Sequence, residues 1–248
     1  ESGTDYEARM LIYINGVYTE DKTSIEKEII KIIPDSTTHF RKEVYETLFL
    51  MARETTLNKE DGIINFKNGL FNIYDKTFSK HTPEIFSINQ INTNFNNNPK
   101  RVDAVDTFLN NISCFKDNRK QAILEMLAYS MTTSTKLEKC FILYGETAKN
   151  GKSTFTKIAT HLIGRNNTGN VSFKDINKHR FANINIKGKI LNVGGEMPSC
   201  YIDDISALKL LITGELLQVE EKGKPLETIS PYAKFIFNAN QLPIVADK

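Results

Sequence analysis

The 248-residue chain has no tryptophan and only three cysteines. Cys114, Cys140 and Cys200 are widely separated, odd in number and without metal-ligand spacing. They therefore argue against a disulfide scaffold or a thiolate metal site and fit a reducing cytosol. His39, His81, His161 and His179 form no ligand pattern, so no structural zinc is expected. No apolar run approaches the ~18 residues that a membrane span requires. Glu1-Ser2-Gly3-Thr4 offers neither the basic nor the apolar stretch of a secretory signal, and cytoplasmic localisation without a membrane partner is expected. The missing initiator methionine leads us to expect an excised fragment. Lysine and arginine (32) nearly balance aspartate and glutamate (30), so a nucleic-acid partner would have to be met by a local patch.

What is present is an ordinary globular composition, 40% hydrophobic and 25% charged, in a chain long enough for one large or two small domains. Apolar residues recur at helical spacing from Ser24 to Ile33 and from Phe40 to Arg53, with Pro34-Asp35 as the break. Ile63–Phe66 and Leu70–Tyr74 flank Lys67-Asn68-Gly69 and predict a β-hairpin, since Asn-Gly tolerates the positive φ of a tight turn. Residues 91–100 hold five asparagines and Pro99, too polar to bury, and are read as a linker. Helices are expected over Val102–Ile112 and Arg119–Met131. Cys140–Tyr144 is a continuous apolar run, the pattern of a strand buried on both faces. A helix is expected from Lys152 to about Ile163, stopped by Gly164, and another from Ile205 to Ile212. Ile190–Val193 and Phe235–Phe237 read as further buried strands. Strands alternating with helices predict a three-layer α/β domain with a mainly parallel sheet.

Between the first of these strands and the helix lies Gly145-Glu146-Thr147-Ala148-Lys149-Asn150-Gly151-Lys152-Ser153-Thr154, the composition and place of a phosphate-binding loop. Small residues let backbone N–H groups turn inward on phosphate oxygens, and the helix N-terminus adds partial positive charge. Lys152 is expected to reach the β- and γ-phosphates of ATP and Ser153 to hold Mg²⁺. Asn150, Gly151 and Thr154 complete the expected nucleotide contacts. The strict spacing puts Glu146 where the first glycine belongs, with Gly145 one residue early. Glu196 follows the second buried strand after Gly194-Gly195, where open α/β sheets place their ligands, and is the candidate general base with a metal role besides. Asn238 and Asn240 follow the third strand, where an amide can bond the γ-phosphate or the attacking water. Lys222-Gly223-Lys224 reads as the tip of a hairpin, and Lys222 and Lys224 are candidate contacts to DNA phosphates.

Together these segments resemble the superfamily 3 DNA helicases, in particular the branch of phage, plasmid and poxvirus primase–helicases. Asn150–Thr154 looks like the first motif of that family and Gly188–Glu196 is similar to its second. Leu208-Lys209 through Gly214-Glu215 to Lys222-Gly223-Lys224-Pro225 looks like the intermediate motif. Ala233–Pro243 resembles the third motif, with Asn240 matching its sensor asparagine. Ile63–Leu70 and His81-Thr82-Pro83 resemble the accessory domain before the motor. The resemblance implies an α+β accessory domain over residues 1–99. Residues 100–248 would then form a helical lead-in and a C-terminally incomplete core of the AAA+ type. It also implies a homohexameric ring moving on single-stranded DNA and burning ATP with Mg²⁺. Two departures stand out. Many members carry an acidic pair where this chain has Gly195-Glu196, and the family's arginine finger lies beyond the sensor asparagine, whereas no arginine here follows Arg180. The chain alone is therefore expected to hydrolyse ATP weakly and to be monomeric. The alternative reading is a DNA-binding ATPase of plasmid initiation or partition that does not unwind.

Overall fold

Asn15 and Gly16 both take positive φ (51° and 86°) and turn β1 (Ile12–Ile14) back on β2 (Val17–Thr19). Asn-Gly is the residue pair that a two-residue hairpin turn demands. The sequence reading assigns no element before Ser24, although this signal was there to use. α1 (Lys22–Ile32) starts at Asp21, whose carboxylate accepts from the amides of Thr23 and Ser24, and it buries Ile25 and Ile29. The Ser24 hydroxyl donates to the same carboxylate and, with these amides, lowers the Asp21 pKa. α2 (Thr38–Met51) is capped by Thr37, and none of its residues is buried. The computed structural model describes residues 10–52, 62–147, 149–178, 181–197, 201–202 and 204–245. Glu1, Ser2, Gly3, Thr4, Arg53, Ala148, His179, Arg180 and Cys200, named above, lie outside the described residues.

Contacts divide the chain into two units, Glu1–Glu60 with His81–Ile88, and Asp61–Lys80 with Asn89–Lys248. The division does not follow the boundary expected near Pro99. In the second unit β3 (Ile63–Phe66), β4 (Gly69–Asn72) and β5 (Phe78–Ser79) form an antiparallel sheet. Phe66 pairs with Gly69, so the turn residues are Lys67 and Asn68, and neither has positive φ. Gly69 is needed for another reason, because a Cβ there would lie 2.3 Å from the Ser79 carbonyl oxygen.

The segment read as a linker is built into this unit. Ile91 is 1% exposed, its amide donates to the Asn65 carbonyl at 2.7 Å, and it shares a buried cluster with Phe66, Phe155 and Ile163. Phe95 stacks on Phe71 and Phe78. Two apolar side chains among the asparagines suffice to hold the strap, which composition averaged over the whole stretch conceals. Asn89 adds buried bonds to Asn167, to the Gly188 carbonyl and from the Tyr232 hydroxyl, whose pKa burial drives up.

α3 (Asp103–Ile112) and α4 (Asp117–Ser130) lead into β6 (Phe141–Tyr144). α5 (Lys152–Ile163) follows, ended by Gly164 at φ 98°, then β7 (Thr168–Gly169), α6 (Phe173–Lys178), β8 (Leu191–Glu196) and β9 (Tyr201–Ile202). α7 (Ser206–Thr213) precedes the hairpin β10 (Leu217–Val219) and β11 (Glu227–Ile229), then β12 (Lys234–Ala239) and β13 (Ile244–Val245). The main sheet is parallel in the order β6-β12-β8-β7. One face packs Phe155, Ala159 and Ile163 of α5 against Leu191 and Ile236, and the other packs Phe173, Ile176 and Leu211 against Phe235 and Phe237. Helices on both faces of a parallel sheet give the three layers expected.

β6 departs from expectation. Ile142 (39%) and Tyr144 (49%) are exposed, while Phe141 and Leu143 are half-buried against the α5-side cluster, so this strand is covered on one face only. It is the edge strand of the described sheet. At the foot of β12, Lys234 is 2% exposed, donates to the carbonyls of Thr132 and Tyr232, and lies over the Tyr129 ring. A buried ammonium needs such partners to offset its lost hydration.

Candidate functional site

The Gly145–Gly151 loop leaves β6 at the sheet's C-terminal edge. Its first amide, on Gly145, donates to the Ala239 carbonyl at 3.1 Å and prolongs the β6–β12 ladder by one rung. Gly151 turns the chain into α5 with φ 89°, and a Cβ there would lie 2.8 Å from Ile112. The loop is one residue longer than the strict pattern, and Asn150 draws it in by donating to the Thr147 carbonyl at 2.7 Å. Its amide fills the space beside Gly145, where a Cβ would be 2.2 Å away.

Three of the residues singled out by sequence meet directly. Lys152 donates through Nζ to the Gly145 carbonyl and to Asn240 Oδ1, each at 2.7 Å, and Asn240 Nδ2 in turn donates to Glu196 Oε1. An acid, an amide and a cation from three chain segments thus form one hydrogen-bonded line. The strand order explains the meeting: β12, which carries Asn240, lies between β6 and β8, so its amide reaches both neighbours. Ser153 and Thr154 are exposed on the first turn of α5, and no bond joins Ser153 Oγ to this line. Lys222 and Lys224 lie apart from it on the exposed β10–β11 turn. There Lys224 is paired with Glu221 at 2.9 Å.

A cleft of about 590 Å³ opens beside the line, walled by Tyr144, Glu146, Glu196, Met197, Asn240 and Gln241. Tyr144 and Glu146 as walls of this cleft were missed by sequence reasoning. Tyr144 was counted as core, and Glu146 only as a glycine out of place. The Tyr144 hydroxyl donates to Glu146 at 2.7 Å, and this bond raises its pKa. Asn238 sits opposite Glu196 across the β12–β8 pair, and its Oδ1 is buried without a donor. A buried acceptor left open is costly and is ordinarily filled by water or a ligand donor.

The fit to a polyphosphate can be tested on these groups. Among the described residues Lys152 makes no ion pair, and its partners are neutral oxygens that phosphate oxygens can replace. The N-terminus of α5, a helix of 12 residues, adds partial positive charge beside it. The described residues contain no group of three or more His, Cys, Asp or Glu that could hold a metal.

Two family profiles match the chain, each over less than half of it. Residues 5–114 match "D5 N terminal like" and residues 143–248 match "Family of unknown function (DUF5906)". No curated protein matches in sequence. Among solved structures, the apo structure of the NrS-1 C terminal region (305-718) superposes with a TM-score of 0.55 at 15% identity, covering 90% of this chain and 49% of that one. Its A form gives 0.55 at 14%, covering 93% and 54%. JCV Helicase, at a TM-score of 0.34 and 14% identity over 62% of this chain and 48% of its own, is too remote to carry weight. The chain thus spans about half the length of the NrS-1 structures. Its fold is similar to that of about half of the NrS-1 C-terminal region.

Proposed function

We propose that this chain is the ATP-hydrolysing motor of a DNA helicase that replicates a phage, plasmid or other mobile element. In the full-length protein it would work as a homohexameric ring on single-stranded DNA. The line Lys152–Asn240–Glu196 at the C-terminal edge of a parallel sheet, beside a glycine turn opening a helix, supports this most. It gathers the cation, amide and acid that phosphoanhydride hydrolysis needs.

Lys152 would exchange the Gly145 and Asn240 oxygens for β- and γ-phosphate oxygens. Asn240, relieved of the ammonium, keeps its Nδ2 bond to Glu196 and holds that carboxylate in one orientation. Water attacks the γ-phosphorus and the bond to the β–γ bridging oxygen breaks. Glu196 takes the proton of the water, leaving ADP and inorganic phosphate. Asn238 Oδ1, buried without a donor and opposite Glu196, would accept the second hydrogen of that water. Ser153 and Glu196 would hold Mg²⁺, which when bound neutralises charge between the phosphates.

Steady-state ATPase of the full-length protein, with and without single-stranded DNA, tests the proposal together with strand displacement. DNA-stimulated turnover with unwinding is expected; no turnover in either condition sinks it. A second reading is a DNA-binding ATPase of plasmid initiation or partition that would use the same cleft without unwinding. On the β10–β11 turn Glu220 and Glu221 offset Lys222 and Lys224 in formal charge, which weakens the turn as a DNA contact for either reading. Brisk ATPase without strand displacement would favour that reading.

A further inference from the structure

The family pattern expects two acids where this chain has Gly195-Glu196, and the structure gives the glycine another task. Along β8 and β12 the register runs Leu191–Lys234, Asn192–Phe235 and Val193–Ile236, then jumps to Glu196–Asn238. β8 therefore spends one residue more than β12 across this interval, which is a β-bulge. Gly195 lies within it at φ 72°.

The bulge decides which way Glu196 points. Leu191 and Val193 pack with Ile236 and Phe155 on the face covered by α5. Asn192 bonds both backbone groups of Val171 on the opposite face, and a Cβ on Gly194 would strike the Phe237 ring on that same side. Strict alternation would continue Asn192, Gly194, Glu196 on the face away from Lys152. The extra residue reverses the parity, and Glu196 emerges on the α5 face, bonded to Asn240 and opposite Asn238.

We propose that Gly195 is a positioning residue: its left-handed backbone builds the bulge that carries Glu196 to the face of Lys152, so that one acid serves in place of a pair. This rests on the reading of Glu196 as the base for hydrolysis. A Cβ at Gly195 would meet nothing within 4 Å, so a substitution there acts through φ and not through crowding. Alanine disfavours that φ, whereas asparagine adopts it more readily than other residues bearing a Cβ.

The test uses the full-length protein and compares wild type, Gly195→Ala and Gly195→Asn. Gly195→Ala should lower kcat for ATP by roughly 10- to 10²-fold, as expected when a reacting group shifts by about 1 Å, while KM stays within about twofold. Gly195→Asn should restore most of kcat. Binding of a fluorescent ATP analogue, measured separately, should be alike in all three. Equal loss in Ala and Asn, or loss in neither, overturns the bulge argument while the ATPase reading stands. A wild type that neither binds nor hydrolyses nucleotide removes the ATPase reading and this inference with it.

Discussion

The cleft around Lys152 and the turn at Lys222–Lys224 both attracted notice as charged motifs, and tertiary structure treats them oppositely. At the cleft, Lys152 is held by neutral oxygens from two separate segments, Gly145 and Asn240, so its charge stays available. On the turn, Lys224 is taken by Glu221, an exposed pair worth at most about 1 kcal/mol but enough to mask a contact. A cation poised by long-range amides is chemically ready, while a cation beside its own local acid is partly spent. The same contrast holds for the acids. Glu196 reaches its partner through a bulge and a neighbouring strand, whereas Glu221 meets Lys224 within a single turn.

The largest effect should come from Lys152→Ala. Without the ammonium the line through Asn240 to Glu196 loses its cation, and ATP turnover should fall by at least about 10²–10³-fold. Near wild-type turnover would mean that the cleft is no better poised than the turn. Next comes Glu196→Gln, which preserves shape and the bond to Asn240 but cannot accept a proton. Turnover should drop about 10²-fold or more with nucleotide binding kept. Parallel loss of binding, seen by titration with an ATP analogue, would give Glu196 a mainly metal-holding role.

Asn238→Ala should reduce turnover up to about tenfold, the worth of one hydrogen bond, and yet leave thermal stability equal or higher. The change removes a buried acceptor that has no donor. A marked fall in melting temperature would instead make this amide a packing residue. The smallest effects belong to the turn. Lys222→Ala should flatten the salt dependence of single-stranded DNA affinity by roughly one unit of slope, and Glu221→Gln, by releasing Lys224, should steepen it by a similar amount. Slopes unmoved by both would leave the turn a solvated surface.

Much of the fold was legible because it depends on local rules. α5 begins at Lys152 and stops before Gly164 because both ends are set by glycines in left-handed conformations. The α7 helix ends at Gly214 for the same reason. How residues 91–100 are held was not legible. Asparagine content marked them as a linker too polar to bury, but two apolar residues among them find partners on β3, β4 and α5. Exposure of β6 was equally hidden, since a run of apolar residues does not say whether a strand is covered on both faces.

Sequence alone determined which residues could do chemistry here: the glycine-bounded loop with its lysine, an acid after one strand and an amide after another. Residue type and spacing limit what a side chain can donate, accept or carry. Only tertiary structure decided which of them meet. β12 had to lie between β6 and β8 for Asn240 to join Lys152 to Glu196, and β8 had to bulge for Glu196 to face them. The physical reason is that side chains alternate between the two faces of a sheet, so a shift of one residue reverses a face without altering the motif.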